Sequence, residues 1–297
     1  MADLAELSYE LVNTDTDRIY MGRGTKYFIE TVEFGEPDIN TNDTGNPRED
    51  GVHFGRDTKG GRSIVFEGNI LTDPGKTPAL DALNALETAW DGEMVRATPS
   101  GYSFLRMRRG DRIRRVYGRP RKFSSSSGTT QRGWIPFTAE FVTVDHLYYD
   151  DTEFQDQVSI VPGGVGGLEG ELIGPIIASD ATEGDGTIFV SGTKPAWLAY
   201  KIQGPIQYPV ISVVDNWYAR LNVTLAYDQY IVVDPSRWNR SVRRENGGNV
   251  AGAFTADSVR LSQMKVPPGF QRVSLSGVDP TGTASLTVYW RGAFSSY

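Results

Sequence analysis

Short blocks of alternating apolar and polar residues, cut apart by turn pairs, constrain the fold of this chain more than any other feature. They are clearest between Gly192 and Tyr297. Over residues 219–225, for example, Ala, Leu, Val and Leu alternate with Arg, Asn and Thr. A period of two predicts strands with one buried face. The turn pairs that separate the blocks favour an antiparallel sandwich. They are Gly204-Pro205, Asp234-Pro235, Pro268-Gly269 and Asp279-Pro280.

The first half of the chain also predicts strands, together with one helix. The strands are expected at 27–34, 62–71, 101–108, 111–117 and 134–145. The helix is expected at 78–91, because Thr77 is a good N-cap, Pro78 suits the first turn, and Gly92 is a C-terminal stop. Its apolar stripe consists of Leu80, Leu83, Leu86 and Trp90.

Three segments lack such periodicity. Residues 1–18 are polar and are predicted to be loosely ordered or to dock on a neighbour. Residues 35–62 are rich in Gly, Asp, Asn and Arg and are predicted to form a long loop. Residues 151–180 become Gly-rich and are predicted to connect a first domain, 1–150, to a second, 181–297. The predicted fold class is therefore mainly β, with an N-terminal β-sandwich or barrel carrying one α-helix and a C-terminal β-sandwich.

The order of these blocks resembles that of a known family. In the second half the matching elements are Ser191-Gly192-Thr193, Pro195, Gly204-Pro205, Leu221 to Leu225, Asp234, Arg243-Arg244, Pro268-Gly269 and Trp290-Arg291. In the first half they are 61–68, 112–120 and 134–141. Together they resemble the distal tail proteins of siphophages, over roughly residues 20–149 and 186–297. The ordered set carries the resemblance, since no single motif is diagnostic.

The resemblance implies a structural virion protein at the tail tip, assembled in the host cytoplasm. Six copies would form a ring that joins the tail tube to the tip and anchors host-recognition proteins. Domain 1–150 would form the ring, and a galectin-like C-terminal sandwich would project from it. The implied partners are the chain itself, the tail tube protein, and the tail hub, tail-tip and host-recognition proteins. An alternative is a carbohydrate-binding module that attaches the virion to a cell-surface glycan.

The composition of the chain argues against several other classes of function. The chain of 297 residues has no Cys, which excludes disulfides and thiolate metal sites, and its net charge of −7 argues against stable nucleic-acid binding. The first residues do not resemble a signal peptide, and no apolar run reaches the ~20 residues that a spanning helix needs, so no membrane insertion is expected.

Catalytic chemistry is not expected. His53 and His146 are the only histidines, and neither has a second His at metal-ligand spacing. Carboxylate pairs such as Asp150-Asp151 lie in a polar segment with no sign of a cleft. The sequence therefore predicts no enzyme activity, no cofactor, and no catalytic or metal-binding residue.

The strongest charge feature is a basic segment, residues 106–122, with nine Arg or Lys and one Asp. Three interpretations stay open: a positive face that pairs with acidic loops of the next subunit, contact with DNA in a channel, or a solvated hairpin edge. The candidate inter-subunit contacts are Arg106, Arg108, Arg109, Arg112, Arg114, Arg115, Arg119, Asp43, Glu49, Asp50 and Asp57.

Two tryptophans are candidates for contact with a sugar or a partner. Trp238 lies between Arg237 and Arg240 in a predicted loop, and Trp217 lies in the C-terminal sandwich. Packing in the core or at an interface is the competing interpretation for both, because Trp is mostly buried and is enriched at interfaces.

Overall fold

A computed structural model describes residues 4–14, 16–74, 76–126, 132–160, 181–279 and 281–297. The protein is mainly β, as predicted, and divides into two compact units. The first unit contains Met1–Asp151 together with Ser295–Tyr297, and the second contains Thr152–Phe294. Neither described helix has the length and apolar character required to span a membrane.

The first unit contains twelve strands and two helices among its described residues. They are β1 (Ser8–Val12), β2 (Arg18–Gly22), β3 (Tyr27–Phe34), β4 (Ile39–Asn40), β5 (Thr44–Gly45), β6 (Val52–His53), β7 (Thr58–Lys59), β8 (Ser63–Leu71), α1 (Lys76–Asp91), α2 (Glu93–Ala97), β9 (Ser103–Arg109), β10 (Arg112–Ser125), β11 (Trp134–Thr143) and β12 (Tyr148–Asp150).

Most of these strands form one antiparallel sheet. Its order is β2-β1-β9-β10-β11-β8-β3, and β12 pairs with the start of β10. The two end strands β2 and β3 follow each other in sequence and contact each other, so the sheet curls towards a barrel. Helix α1 packs against β8, β10, β11 and β2. The apolar face of the curled sheet and of α1 together forms the core of this unit.

The helix is present but begins earlier than predicted. Since α1 starts at Lys76, Thr77 lies within the helix and is not its N-cap. The buried stripe consists of Ala79, Ala82, Leu83, Leu86, Ala89 and Trp90, while the predicted Leu80 is only half-buried. Gly92 ends α1 in a left-handed conformation with φ 55°, as the C-terminal stop requires, and the short α2 follows at once.

Two segments predicted to lack structure are strands. Within residues 1–18, Ser8–Val12 forms an internal strand that pairs with both β2 and β9. Its Leu11 and Val12 are buried although the segment is polar on average. The predicted loop 35–62 is a β-hairpin, closed by the β4–β7 and β5–β6 pairs. We call residues 38–59 the hairpin arm.

The second unit also contains twelve strands among its described residues. They are β13 (Phe154–Ser159), β14 (Ala181–Val190), β15 (Ala196–Gln203), β16 (Ile206–Val213), β17 (Trp217–Arg220), β18 (Thr224–Leu225), β19 (Tyr230–Asp234), β20 (Ser241–Arg244), β21 (Lys265–Val266), β22 (Gly269–Val278), β23 (Ser285–Trp290) and β24 (Ala293–Phe294).

The second unit is the predicted antiparallel sandwich. One sheet has the order β13-β23-β15-β19-β20 and the other β14-β22-β16-β17, with β21 and β18 attached to β15 and β16. The core lies between them: Tyr200 of the first sheet contacts Trp217 of the second edge to face, with ring centroids 5.5 Å apart. The predicted strand over 219–225 is interrupted between Arg220 and Thr224, yet Ala219, Leu221 and Leu225 are buried as the alternation requires.

The segment predicted to connect the domains begins with a structural strand. Phe154–Ser159 forms β13 and pairs along its whole length with β23. Its polar sequence reflects an edge position, where only Val158 among the six side chains is buried. The Gly-rich residues 161–180 of the predicted connection lie outside the described part of the chain.

Candidate assembly surfaces

The basic segment follows two adjacent strands of the first unit. Strands β9 and β10 form a hairpin in which Arg106 lies opposite Arg115 and Arg109 lies opposite Arg112. Alternate residues of a strand point to opposite faces. Leu105 and Val116 therefore face the apolar core, while Arg106 and Arg115 share the other face.

Neither face leaves its arginines open to solvent. Arg106 and Arg115 are only 2% and 4% exposed, and Arg114, which lies opposite Met107 on the other face of the hairpin, is only 6% exposed. Each forms an ion pair with a carboxylate of the same unit, which is what buried charges require. We call Arg106 and Arg115, with Glu10 and Asp151, the buried ion cluster. Arg114 and Asp150 form a separate buried pair on the opposite face.

Asp151 is the centre of the buried ion cluster. Its Oδ1 accepts hydrogen bonds from Arg106 Nε at 2.9 Å and Arg115 Nη2 at 2.6 Å, and its Oδ2 accepts one from Arg106 Nη2 at 2.7 Å. Arg106 also donates to Glu10, and Arg114 Nη1 donates to Asp150 Oδ1 at 2.7 Å. Within the cluster the two arginines face two carboxylates, and Arg18 forms a further ion pair with Glu10 at 3.8 Å.

The pKa of Asp151 responds to these neighbours. Burial by itself would raise it, but the hydrogen bonds from Arg106 and Arg115 and their positive charge outweigh burial and hold the pKa below its usual value. Burial lowers the pKa of Arg114, against the attraction of Asp150. Asp151 is therefore ionised near neutral pH.

The buried ion cluster and the Arg114–Asp150 pair correct the interpretation of three of the nine basic residues in the basic segment. Arg106, Arg114 and Arg115 were predicted to face a neighbouring subunit or solvent, but their charge is neutralised within the fold. The reason is that β12 pairs with the start of β10 and so brings residues 150 and 151, which are distant in sequence, beside these arginines. Arg108 and Arg119 are half-buried and donate to backbone carbonyls, such as that of Gly101.

Two candidates remain exposed at the tip of the hairpin. Arg109 and Arg112 flank Gly110, which has φ 60°, and the exposed Asp111. Within the described residues, neither arginine has an ion-pair partner. We call residues 109–112 the basic turn.

The acidic candidates all lie on the hairpin arm. Every residue of the arm is exposed except the half-buried Asn46. Asp43 accepts a hydrogen bond from the Gly55 amide at 3.0 Å, within the arm itself. The other acidic candidates on the arm are Glu49, Asp50 and Asp57. Because Phe54 is 90% exposed, the arm presents apolar as well as charged surface.

The tryptophan candidates differ in their surroundings. Trp217 is 9% exposed and its indole donates to the Lys265 carbonyl at 3.2 Å, so it belongs to the sandwich core and not to a sugar site. Trp238 is half-buried between β19 and β20. These two side chains therefore do not form an exposed aromatic platform.

No metal site appears in the described ranges, where no three His, Asp or Glu side chains are grouped to hold an ion. His53 is exposed on the hairpin arm. His146 lies between β11 and β12, where its carbonyl accepts a hydrogen bond from Arg62.

Sequence reasoning missed an open groove of about 420 Å³ on the first unit. It is lined by residues of β3, β8, β10 and β11, among them Glu30, Glu67, Asn69, Ser124, Trp134 and Thr138. A β-bulge at Glu30 interrupts the β3–β8 pairing, and Glu30 Oε1 accepts a hydrogen bond from Asn69 Nδ2 at 2.5 Å. Bulges re-aim side chains, and sequence alone does not reveal them.

A second feature that sequence reasoning missed involves Tyr297. Tyr297 belongs to the first unit, where its hydroxyl donates to the Met107 carbonyl at 2.7 Å. Its ring contacts that of Tyr148, with centroids 5.7 Å apart.

Solved structures with the same fold are components of phage tails. The crystal structure of the SPP1 Dit (gp 19.1) protein, a hub adsorption apparatus of phages infecting Gram-positive bacteria, matches with a TM-score of 0.53 and 12% identity, over 90% of this chain and 93% of that one. The phage P2 baseplate in its activated conformation with Ca matches with a TM-score of 0.52 and 10% identity, over 95% and 97%. The same baseplate with Sr matches with a TM-score of 0.52 and 10% identity, over 96% of this chain and 98% of that one.

No family model matches the sequence. No curated protein matches it either. The likeness to the phage proteins is therefore one of fold, and it extends over both units of the chain.

Proposed function

We propose that this chain is a structural virion protein that forms a ring at the tip of a long phage tail, joining the tail tube to the tip. The observation that carries the proposal is the likeness of fold along 90–96% of the chain to a phage hub protein and to a phage baseplate chain. A likeness that includes both units in order is more specific than one to a single sandwich, because β-sandwiches serve many functions.

The surface of the first unit supports self-assembly. The hairpin arm has exposed side chains along its length and an exposed apolar residue, Phe54, between its two strand pairs, which favours contact with another molecule. The basic turn and the acidic residues of the arm, Asp43, Glu49, Asp50 and Asp57, are among the exposed charged groups that could make contacts between copies. In this proposal six copies close the ring through their first units, and the second units project from it.

The proposed partners are the tail tube protein on one side of the ring and hub, tail-tip or host-recognition proteins on the other. The chain would act without catalysis, as a scaffold of the virion tail tip, after assembly in the host cytoplasm. A carbohydrate-binding module is not favoured, because Trp217 is committed to the core of the sandwich.

Electron microscopy tests the proposal. The purified full-length chain is imaged in negative stain, alone and mixed with the tail tube protein of the same virus. We expect rings with a central hole, and mass measurement in solution then gives the copy number. Single particles of monomer size under both conditions, over a range of protein and salt concentrations, would refute the proposal.

A further inference from the structure

We infer that the basic turn of one copy docks into the groove beside Trp134 on a second copy, an inference that rests on the proposed self-assembly. We call this groove the acidic groove, because Glu30 and Glu67 provide its charged side chains. The contact would be heterologous, since two different surfaces meet, and heterologous contacts can close into rings.

The basic turn carries an unfavourable pair of like charges. Arg109 and Arg112 lie directly opposite each other across the hairpin, and like charges in that position destabilise a strand pair. Asp111 offsets one of the two charges at most. An external pair of carboxylates would relieve the repulsion, which makes the turn a donor surface for a negatively charged partner.

The acidic groove offers the complementary chemistry. Glu30 and Glu67 are exposed, and neither has an ion-pair partner within the described ranges. Trp134 is 42% exposed and forms an aromatic wall beside them. Guanidinium groups pair with carboxylates and stack on indole rings, so the groove suits arginine better than lysine or a neutral ligand.

The groove is also organised before any partner binds. The bulge in β3 and the hydrogen bond from the buried Asn69 fix the position of Glu30. A preorganised acceptor loses less conformational entropy on binding than a flexible one.

The two surfaces cannot meet within one copy. The basic turn includes Arg112 at the start of β10, whereas Ser124 and Ser125 line the groove near its end. Twelve residues of extended strand from Arg112 to Ser124 span roughly 40 Å at about 3.3 Å per residue. The natural occupant of the groove is therefore the basic turn of a second copy. Its two arginines match the two glutamates of the groove in charge and in number.

Charge-reversal variants test whether the basic turn and the acidic groove form the contact between copies. We would compare Arg109→Glu/Arg112→Glu in the turn with Glu30→Lys/Glu67→Lys in the groove, using the full chain and sedimentation velocity over a salt series. Each variant alone places like charges at every contact, so we expect its apparent association to fall by roughly tenfold or more. Arg121→Glu, an exposed arginine of β10 outside the basic turn, is the matched control and should assemble as wild type does.

The decisive measurement uses an equimolar mixture of the two charge-reversal variants, one changed in the turn and the other in the groove. The reversed turn of one variant fits the reversed groove of the other, and the unchanged turn fits the unchanged groove. Alternating rings with an even number of copies should therefore form from two variants that do not assemble alone. Failure of the mixture to assemble would overturn the pairing of turn with groove.

Milder substitutions guard against loss of folding. Arg109→Gln/Arg112→Gln and Glu67→Gln remove charge at exposed positions and should weaken assembly while circular dichroism stays unchanged. Wild-type assembly by these folded variants would overturn this contact and leave the proposed ring intact. A wild-type chain that remains monomeric in every condition, also with the tube protein, would instead refute the proposed function itself.

Discussion

Arg106 holds Asp151 through two parallel hydrogen bonds, Nε to Oδ1 at 2.9 Å and Nη2 to Oδ2 at 2.7 Å. This bidentate geometry joins a buried arginine of β9 to the residue with which the main segment of the first unit ends. The basic segment therefore has a structural part, which completes the first unit, and an exposed part at the basic turn. Substitutions in the structural part should destabilise the fold, whereas similar substitutions in the basic turn should leave the monomer folded.

Replacing Arg106 should destabilise the first unit strongly. In Arg106→Met the carboxylates of Glu10 and Asp151 lose a buried partner, and breaking such a pair costs about 3–5 kcal/mol. Hydrogen exchange of the amides of β9 and β10 measures this cost separately from the second unit. Arg121→Met, at an exposed site, should change stability by less than about 0.5 kcal/mol. Equal protection in the two variants would show that the buried ion cluster contributes little.

Reversing three arginines should unfold the first unit and not merely prevent assembly. If the basic segment were a solvated hairpin edge, the monomer of Arg112→Glu/Arg114→Glu/Arg115→Glu would stay folded. The structure predicts otherwise, because two of the new glutamates would be buried beside Asp150 and Asp151. Arg112→Glu alone changes an exposed residue and should keep the wild-type circular dichroism spectrum. A folded triple variant would contradict the burial of Arg114 and Arg115.

The stability of the first unit should fall in acid because of Asp151. The folded-state pKa of Asp151 is depressed, so the unfolded carboxyl, with a pKa near about 3.9, binds its proton at higher pH than the folded one does. The stabilisation is therefore complete above about pH 4 and is lost as the pH falls through the folded-state pKa. Asp151→Asn should be less stable at neutral pH and should lose less stability on acidification. Parallel pH profiles for the two proteins, measured by urea unfolding, would contradict this assignment.

The sequence predicted those elements whose signal is local. The period-two pattern identified most long strands, and the spacing of Leu83, Leu86 and Trp90 identified the helix, since each pattern lies within one element. Strand β1 was missed because its buried residues lie between polar neighbours. The hairpin arm was missed because its strands are two residues long and bury no face.

The assembly surfaces could be predicted only in part, because pairing in space decides which charges remain free. Arg106 and Arg109 look alike in sequence, but the partner of Arg106 lies 45 residues away and arrives through β12. The acidic groove depends on a bulge and on strands brought together by the sheet. Both features join residues that are distant in sequence, so neither composition nor periodicity can predict them.

Tyr297 should stabilise the first unit, although the whole second unit separates it in sequence from the main segment of the first. Tyr297→Phe keeps the ring contacts with Tyr148 and Phe34 but loses the hydrogen bond to the Met107 carbonyl, worth about 0.5–1.5 kcal/mol. Tyr297→Ala should cost more, because the apolar contacts are also lost. Hydrogen exchange at Met107 and its neighbours reports both losses. Tyr289→Phe, in the second unit, is the control and should leave these amides unchanged.

The same contacts determine how the first unit should be isolated. A fragment that ends at residue 150 lacks Asp151, the shared partner of Arg106 and Arg115, as well as Tyr297. We expect residues 1–150 to aggregate or to unfold at lower urea concentration than the first unit does in the full chain. Stable, well-dispersed fragment with native exchange rates in β9 would contradict this expectation.

Removing the hairpin arm should abolish assembly without destabilising the monomer. The root of the arm is already closed, because the Gly60 amide donates to the Asp38 carbonyl at 2.8 Å, so an Asn-Gly turn can replace residues 39–59. Since the arm buries almost none of its side chains, its loss should change the free energy of unfolding by less than about 0.5 kcal/mol. Phe54→Ser is the matched point variant: it removes an exposed ring midway along the arm, should leave the stability of the monomer unchanged, and should weaken association. Sedimentation gives the assembly state and urea unfolding gives the stability, so rings from the shortened chain would exclude the arm from the contact between copies.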